Sequence, residues 1–101
     1  MNHFVELVTF KSKPDFTPDE VIAAAEGVNV FLKEQQGFIS RTLGRAEDGT
    51  WHDILFWESQ DHLTNAMQAA ATCPHCAALF GVIDAGHDNM ALFPSQLAFS
   101  R

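Results

Sequence analysis

Apolar positions alternate, then recur every three to four residues, then alternate again along this 101-residue chain, and each change of period marks an element. His3 to Phe10 is rich in β-branched and aromatic side chains and gives way to a polar stretch, Lys11 to Asp15, that contains Pro14; this is a first strand. Thr17-Pro18-Asp19-Glu20 sets a capping hydroxyl before a proline at the first helical position and a glutamate at the third, so free backbone N–H groups find acceptors. The spacing predicts a helix over 18–36, with Val21, Ala25, Val28 and Leu32 on one face and Gly37 placed to end it. Phe38 to Arg45 and Thr50 to Trp57 read as strands joined by Ala46-Glu47-Asp48-Gly49, a tight reversal. Ser59 caps a second helix with Leu63, Ala66, Met67 and Ala70 on its buried stripe, and Pro74 interrupts it. A short third helical piece turns Cys76, Leu79, Phe80 and Ile83 inward. After Asp84-Ala85-Gly86, a last strand is predicted over 89–93, ended by Pro94.

Strand, helix, strand, strand, helix, strand is the βαββαβ order of a ferredoxin-like α+β domain with a four-stranded antiparallel sheet. The chain reads as one such domain over 1–101, with 94–101 as a C-terminal tail. Helices cover one face of such a sheet, so in a solvated monomer the other face should be polar at every second residue. Here both faces are apolar: Val5 and Leu7 oppose Phe4, Val8 and Phe10, Ile54 and Phe56 oppose Trp51, Leu55 and Trp57, and Met90 and Leu92 oppose Ala91 and Phe93. The tail is too short to cover four strands. A homodimer packed sheet against sheet resolves the conflict.

Composition narrows the partners. Six basic residues against thirteen acidic ones give a formal charge of −7, with no basic cluster to displace counterions from a phosphate backbone, so neither nucleic acid nor an anionic membrane surface is an expected partner. The longest apolar run, Cys76 to Ile83, is far shorter than the roughly 18 residues of a membrane span, and no basic-then-apolar leader opens the chain; the expected location is cytoplasmic.

Glu6, Arg41 and Asp53 are charged residues inside apolar strands, and a buried ion demands a partner. They read either as a polar cluster in a binding cavity, with Arg41 holding an anionic oxygen and a carboxylate acting as base, or as a structural bridge. Trp57 either stacks on a flat aromatic ligand or packs in the core. The five histidines, His3, His52, His62, His75 and His87, lack the spacing of a zinc hydrolase, and apart from a bare His3/His52/His75 combination nothing suggests a metal; no cofactor is expected. Cys73-Pro74-His75-Cys76 has the spacing of a redox dithiol, but it follows an Ala-rich helix late in the chain rather than an early strand, and it has no second half for zinc. The plainer reading makes Pro74 the start of the third helix, Cys73 its capping position and Cys76 a small inward-facing hydrophobe.

Val5-Glu6-Leu7-Val8-Thr9-Phe10, Gln36-Gly37-Phe38-Ile39-Ser40-Arg41, Asp48-Gly49-Thr50-Trp51-His52-Asp53-Ile54, Phe56-Trp57-Glu58-Ser59 and Phe80-Gly81-Val82-Ile83-Asp84, in this order, resemble the antibiotic biosynthesis monooxygenase-like group of the dimeric α/β-barrel superfamily. The resemblance spans nearly the whole chain. It implies two ferredoxin-like subunits sharing a dimeric α/β barrel, each with a small cavity between sheet and helices. Members include oxygenases that act on electron-rich phenols without metal or flavin, haem-degrading enzymes and stress-related proteins. Three departures limit the transfer: the chain has no Tyr, so a Tyr-dependent mechanism is excluded; Glu6 stands where haem degraders carry Asn; and Leu92 stands where related sequences often carry a last-strand His. Three functions follow. The first is a cofactor-independent monooxygenase acting on a small aromatic or polyketide-like ligand, the second a non-enzymatic binding or stress-related homologue, and the third a thiol-disulfide protein using Cys73 and Cys76.

Overall fold

A computed structural model describes residues 3–101. In chain order the elements are β1 (Phe4–Ser12), α1 (Pro18–Leu32), β2 (Phe38–Arg45), β3 (Trp51–Trp57), α2 (Gln60–Ala70), α3 (Pro74–Phe80) and β4 (Ile83–Pro94). The strands form one antiparallel sheet in the order β2-β3-β1-β4, the ferredoxin-like arrangement expected from the element order. No helix is long and apolar enough to cross a membrane.

The starts of the two longer helices follow from local chemistry. The Thr17 hydroxyl accepts the Glu20 N–H at 3.2 Å while the Glu20 carboxylate accepts the Thr17 N–H at 2.8 Å, a reciprocal capping box with Pro18 at the first position. Ser59 accepts the His62 N–H at 3.2 Å and opens α2. The anticipated stripe of α1, Val21, Ala25, Val28 and Leu32, is buried against the sheet and joins Phe10, Trp51, Leu55, Trp57 and Leu63 in the core. Gly37 has φ +80°, and a Cβ there would run into the His62 ring, so only glycine satisfies both the backbone and the packing.

Three expectations need correction. Helix α1 ends at Leu32 rather than Gln36, because the Glu34 and Gln35 N–H groups reach back three residues to Phe31 and Leu32 and tighten the chain into turns before Gly37. The last strand begins at Ile83 rather than Asn89. Its pairing with β1 runs from Phe4 opposite Pro94 to Phe10 opposite Asp88 and resumes with Ser12 opposite Ile83, so the Asp84-Ala85-Gly86 stretch is an irregularity inside the strand, with Gly86 at φ +87°. Met67 and Phe80, assigned to buried stripes, are 41% and 60% exposed, since they line an open cavity instead of filling the core.

The two large apolar residues of the tail do not join the core. Leu97 and Phe99 are 88% and 92% exposed, and the tail is anchored through Ser95, which donates to the His3 carbonyl and accepts from the His3 N–H.

Candidate functional site

Strand alternation places the chemistry. Phe4, Val8 and Phe10 of β1 pack on the helix side, so Glu6 between them points the same way; on β3, Trp51, Asp53, Leu55 and Trp57 share that side. A cavity of about 350 Å³ lies between this face and the helices. Its walls are apolar, among them Phe31, Met67, Ala70, Phe80 and Met90, and its charged side chains are Glu6, Arg41 and Asp53. The volume is at the small end of ligand pockets, which run from roughly 300 to 1,000 Å³.

Arg41 and Asp53 form the bridge that the apolar context demanded. Arg41 Nε donates to Asp53 Oδ1 at 2.8 Å and Nη2 to Asp53 Oδ2 at 2.6 Å, a two-pronged pair with side chains only 8% and 6% exposed. Nη1 donates to the Ala25 carbonyl at 2.7 Å and to Asn29 Oδ1 at 3.2 Å, which ties α1 to β2 and β3. Four of the five guanidinium N–H groups are thereby committed to the protein, so the geometry gives Arg41 mainly a structural role. Behind it lies a second cleft, between α1 and the β2–β3 hairpin, where Trp51 packs under the Arg45 guanidinium at 5.3 Å.

Glu6 is different. Its Oε1 accepts a single hydrogen bond, from the Trp57 indole N–H at 3.1 Å. The indole is itself fixed: Trp57 is 1% exposed, and Phe38 packs edge-on against it with ring centroids 5.4 Å apart. Trp57 is therefore a core residue that also walls the cavity and orients Glu6. Burial among apolar groups pushes the Glu6 carboxyl above the ordinary carboxylate range; the Trp57 hydrogen bond acts in the opposite sense, Asp53 adds to the rise and Arg41 offsets part of it. A carboxyl group shifted in this direction, inside an apolar cavity, is suited to exchanging a proton with a weakly acidic O–H.

The remaining candidates divide cleanly. Cys73 caps α3, as expected, and Cys76 is buried and reaches the cavity wall. Among the described residues no three metal-ligating side chains converge, so His3, His52 and His75 are not brought together. Sequence reading missed the Trp57–Glu6 hydrogen bond and the cavity roles of Phe31 and Met90. The first had a readable signal, because Glu6 pairs with Leu55 and so lies diagonal to Trp57 on the adjacent strand.

No family model and no curated protein matches the sequence. Solved structures do. A cofactor-independent oxygenase of Streptomyces nogalater, SnoaB, superposes with a TM-score of 0.81 over 100% of both chains at 20% identity. A Streptomyces coelicolor monooxygenase, ActVA-Orf6, solved with the ligand nanaomycin D, gives 0.70 over 98% of this chain and 92% of its own at 24% identity. A dimeric ferredoxin-like protein of unknown function from Jannaschia sp. CCS1 gives 0.68 over 90% and 97% at 13% identity. The chain thus has the ferredoxin-like fold of the antibiotic biosynthesis monooxygenase-like proteins, the group its sequence resembles.

Proposed function

We propose that the protein is a homodimeric oxygenase of this group, acting without metal or flavin on an electron-rich aromatic or polyketide-like substrate held in the cavity beneath the helices. The observation that carries the reading is Glu6: a carboxyl with a raised pKa, oriented by Trp57, facing an apolar space large enough for a small flat molecule. In such chemistry the substrate supplies the electrons. Glu6 takes the proton of a phenolic or enolic O–H, the resulting anion reduces dioxygen, and the two recombine as a carbon-bound peroxide that takes the proton back from Glu6 to become a hydroperoxide. Loss of water then turns a CH₂ carbon into a carbonyl, with one oxygen atom retained and the other released as water. The apolar walls shield the anion from competing water.

The dimer follows from the open face. Leu7, Ile54, Phe56, Ala91 and Phe93 lie opposite the core, in register across three strands, and are half-buried to exposed, with Phe93 41% exposed. A contiguous apolar surface of this kind calls for a second sheet, and sedimentation at micromolar concentration should report twice the chain mass. Two free cysteines suit a reducing compartment, so the reading places the dimer in the cytoplasm.

Oxygen uptake with a hydroxylated anthrone tests the activity. The expected result is anthraquinone formed one-for-one with dioxygen consumed, faster than the spontaneous reaction, with kcat about a hundredfold lower in Glu6→Gln. Uptake at the spontaneous rate, or an unimpaired Glu6→Gln, overturns the proposal. A second reading, binding without turnover, is favoured by the mutual neutralisation of Arg41 and Asp53, which leaves Glu6 as the cavity's one uncommitted charged group among the described residues. Saturable quinone binding without oxygen uptake would establish it.

A further inference from the structure

Cys73 and Cys76 have no part in the proposed oxygenation, yet they stand three residues apart in one turn at the start of α3. Cys73, half-buried at the cap of α3, accepts the Cys76 backbone N–H on its sulfur at 3.4 Å, so both side chains belong to the same turn. Cys76 is 4% exposed and faces the cavity. Pro74 fixes the backbone between them at the first helical position.

We infer that Cys73 and Cys76 form a reversible oxidation site, in which a hydroperoxide entering from solvent converts the pair to an intrachain disulfide built into the cavity wall. The Cys73 sulfur attacks the terminal oxygen of hydrogen peroxide, the O–O bond breaks, and one water leaves as Cys73 becomes a sulfenic acid. The Cys76 sulfur then displaces the hydroxyl, which takes the Cys76 proton and departs as a second water. Two thiols are oxidised by two electrons and one peroxide is reduced to two waters. Cys73 is the attacking member on grounds of access, and the environments agree: although burial opposes its ionisation, the backbone N–H groups of Cys76 and His75 and the Cys76 thiol hold the Cys73 thiol below its usual value. Burial and the neighbouring Cys73 push the Cys76 thiol up to about 12, so it is not the member that meets peroxide first; it reacts second, giving up its proton to the departing hydroxyl as the two sulfurs join.

The test treats the full chain with hydrogen peroxide and follows free thiols and intact mass. The expected result is concerted loss of both thiols, a mass lower by two hydrogens, a Cys73–Cys76 cross-linked peptide on digestion, and full recovery with dithiothreitol. Cys76→Ser should stop at a sulfenic acid trapped by dimedone, and Cys73→Ser should keep its remaining thiol reduced. Because the wild-type mass decides by itself, a poorly folded variant leaves the outcome readable. Survival of both thiols, over-oxidation of Cys73 beside a free Cys76, or disulfides between chains overturns the inference.

Discussion

Two carboxylates on the same side of the same sheet meet opposite fates. Asp53 on β3 is met by both prongs of Arg41, and the guanidinium is in turn fastened to α1; Glu6, one step away on β1, receives one indole N–H and otherwise faces apolar space. The difference teaches where reactivity can reside. A saturated pair holds elements together and has little left to give a ligand, whereas a carboxyl whose burial is only partly compensated keeps its proton affinity raised and its second oxygen open.

The largest effect should come from breaking the saturated pair. Arg41→Ala leaves the Asp53 carboxylate buried without a counter-charge and the Ala25 carbonyl without a donor, at a loss of about 3–5 kcal/mol in urea unfolding at neutral pH. An unchanged midpoint would remove Arg41 from the interior. Trp57→Phe retains an aromatic ring against Phe38 and removes the donor to Glu6, so the loss should be smaller, about 1–3 kcal/mol, and the acid limb of any pH–rate profile should move upward because the group that lowers the Glu6 pKa is gone. A profile that stays in place would uncouple Trp57 from the reacting carboxyl.

The smallest effect on stability, and the sharpest on pH dependence, belongs to Glu6→Gln. With its folded pKa raised above the unfolded value, Glu6 contributes stability that is fully present below the ordinary carboxylate range and is lost as pH rises through the raised value. The wild type should therefore lose stability relative to Glu6→Gln across that window, and the two curves should run parallel on either side of it. Parallel curves throughout would mean that Glu6 sits in solvent.

Much of the frame was legible because it rests on local chemistry. The Thr17 and Ser59 caps, the α1 stripe, and the restart at Pro74 involve residues within one or two turns of each other, and each appears where short-range spacing put it. Errors fell where a distant strand decides. Asp84-Ala85-Gly86 has the composition of a turn, yet pairing of Ile83 with Ser12 draws it into β4. Met67 and Phe80 obey helical periodicity, yet the space they face is left open.

The candidate site divides the same way. An ion inside an apolar strand must find a partner, so three charged residues in such strands were enough to single out Glu6, Arg41 and Asp53 as a group. Which carboxylate received Arg41 was not readable, because Arg41 reaches both β3 and α1 only after the sheet has brought them together. By itself the sequence determined the element order, the apolar character of both sheet faces and the identity of the charged trio, since these depend on residue type and short-range period. Tertiary structure alone decided that Asp53 would be neutralised, that Glu6 would be left with the Trp57 indole in an apolar cavity, and that Cys76 would reach the same wall, because each depends on which side chains meet across strands and helices distant in the chain.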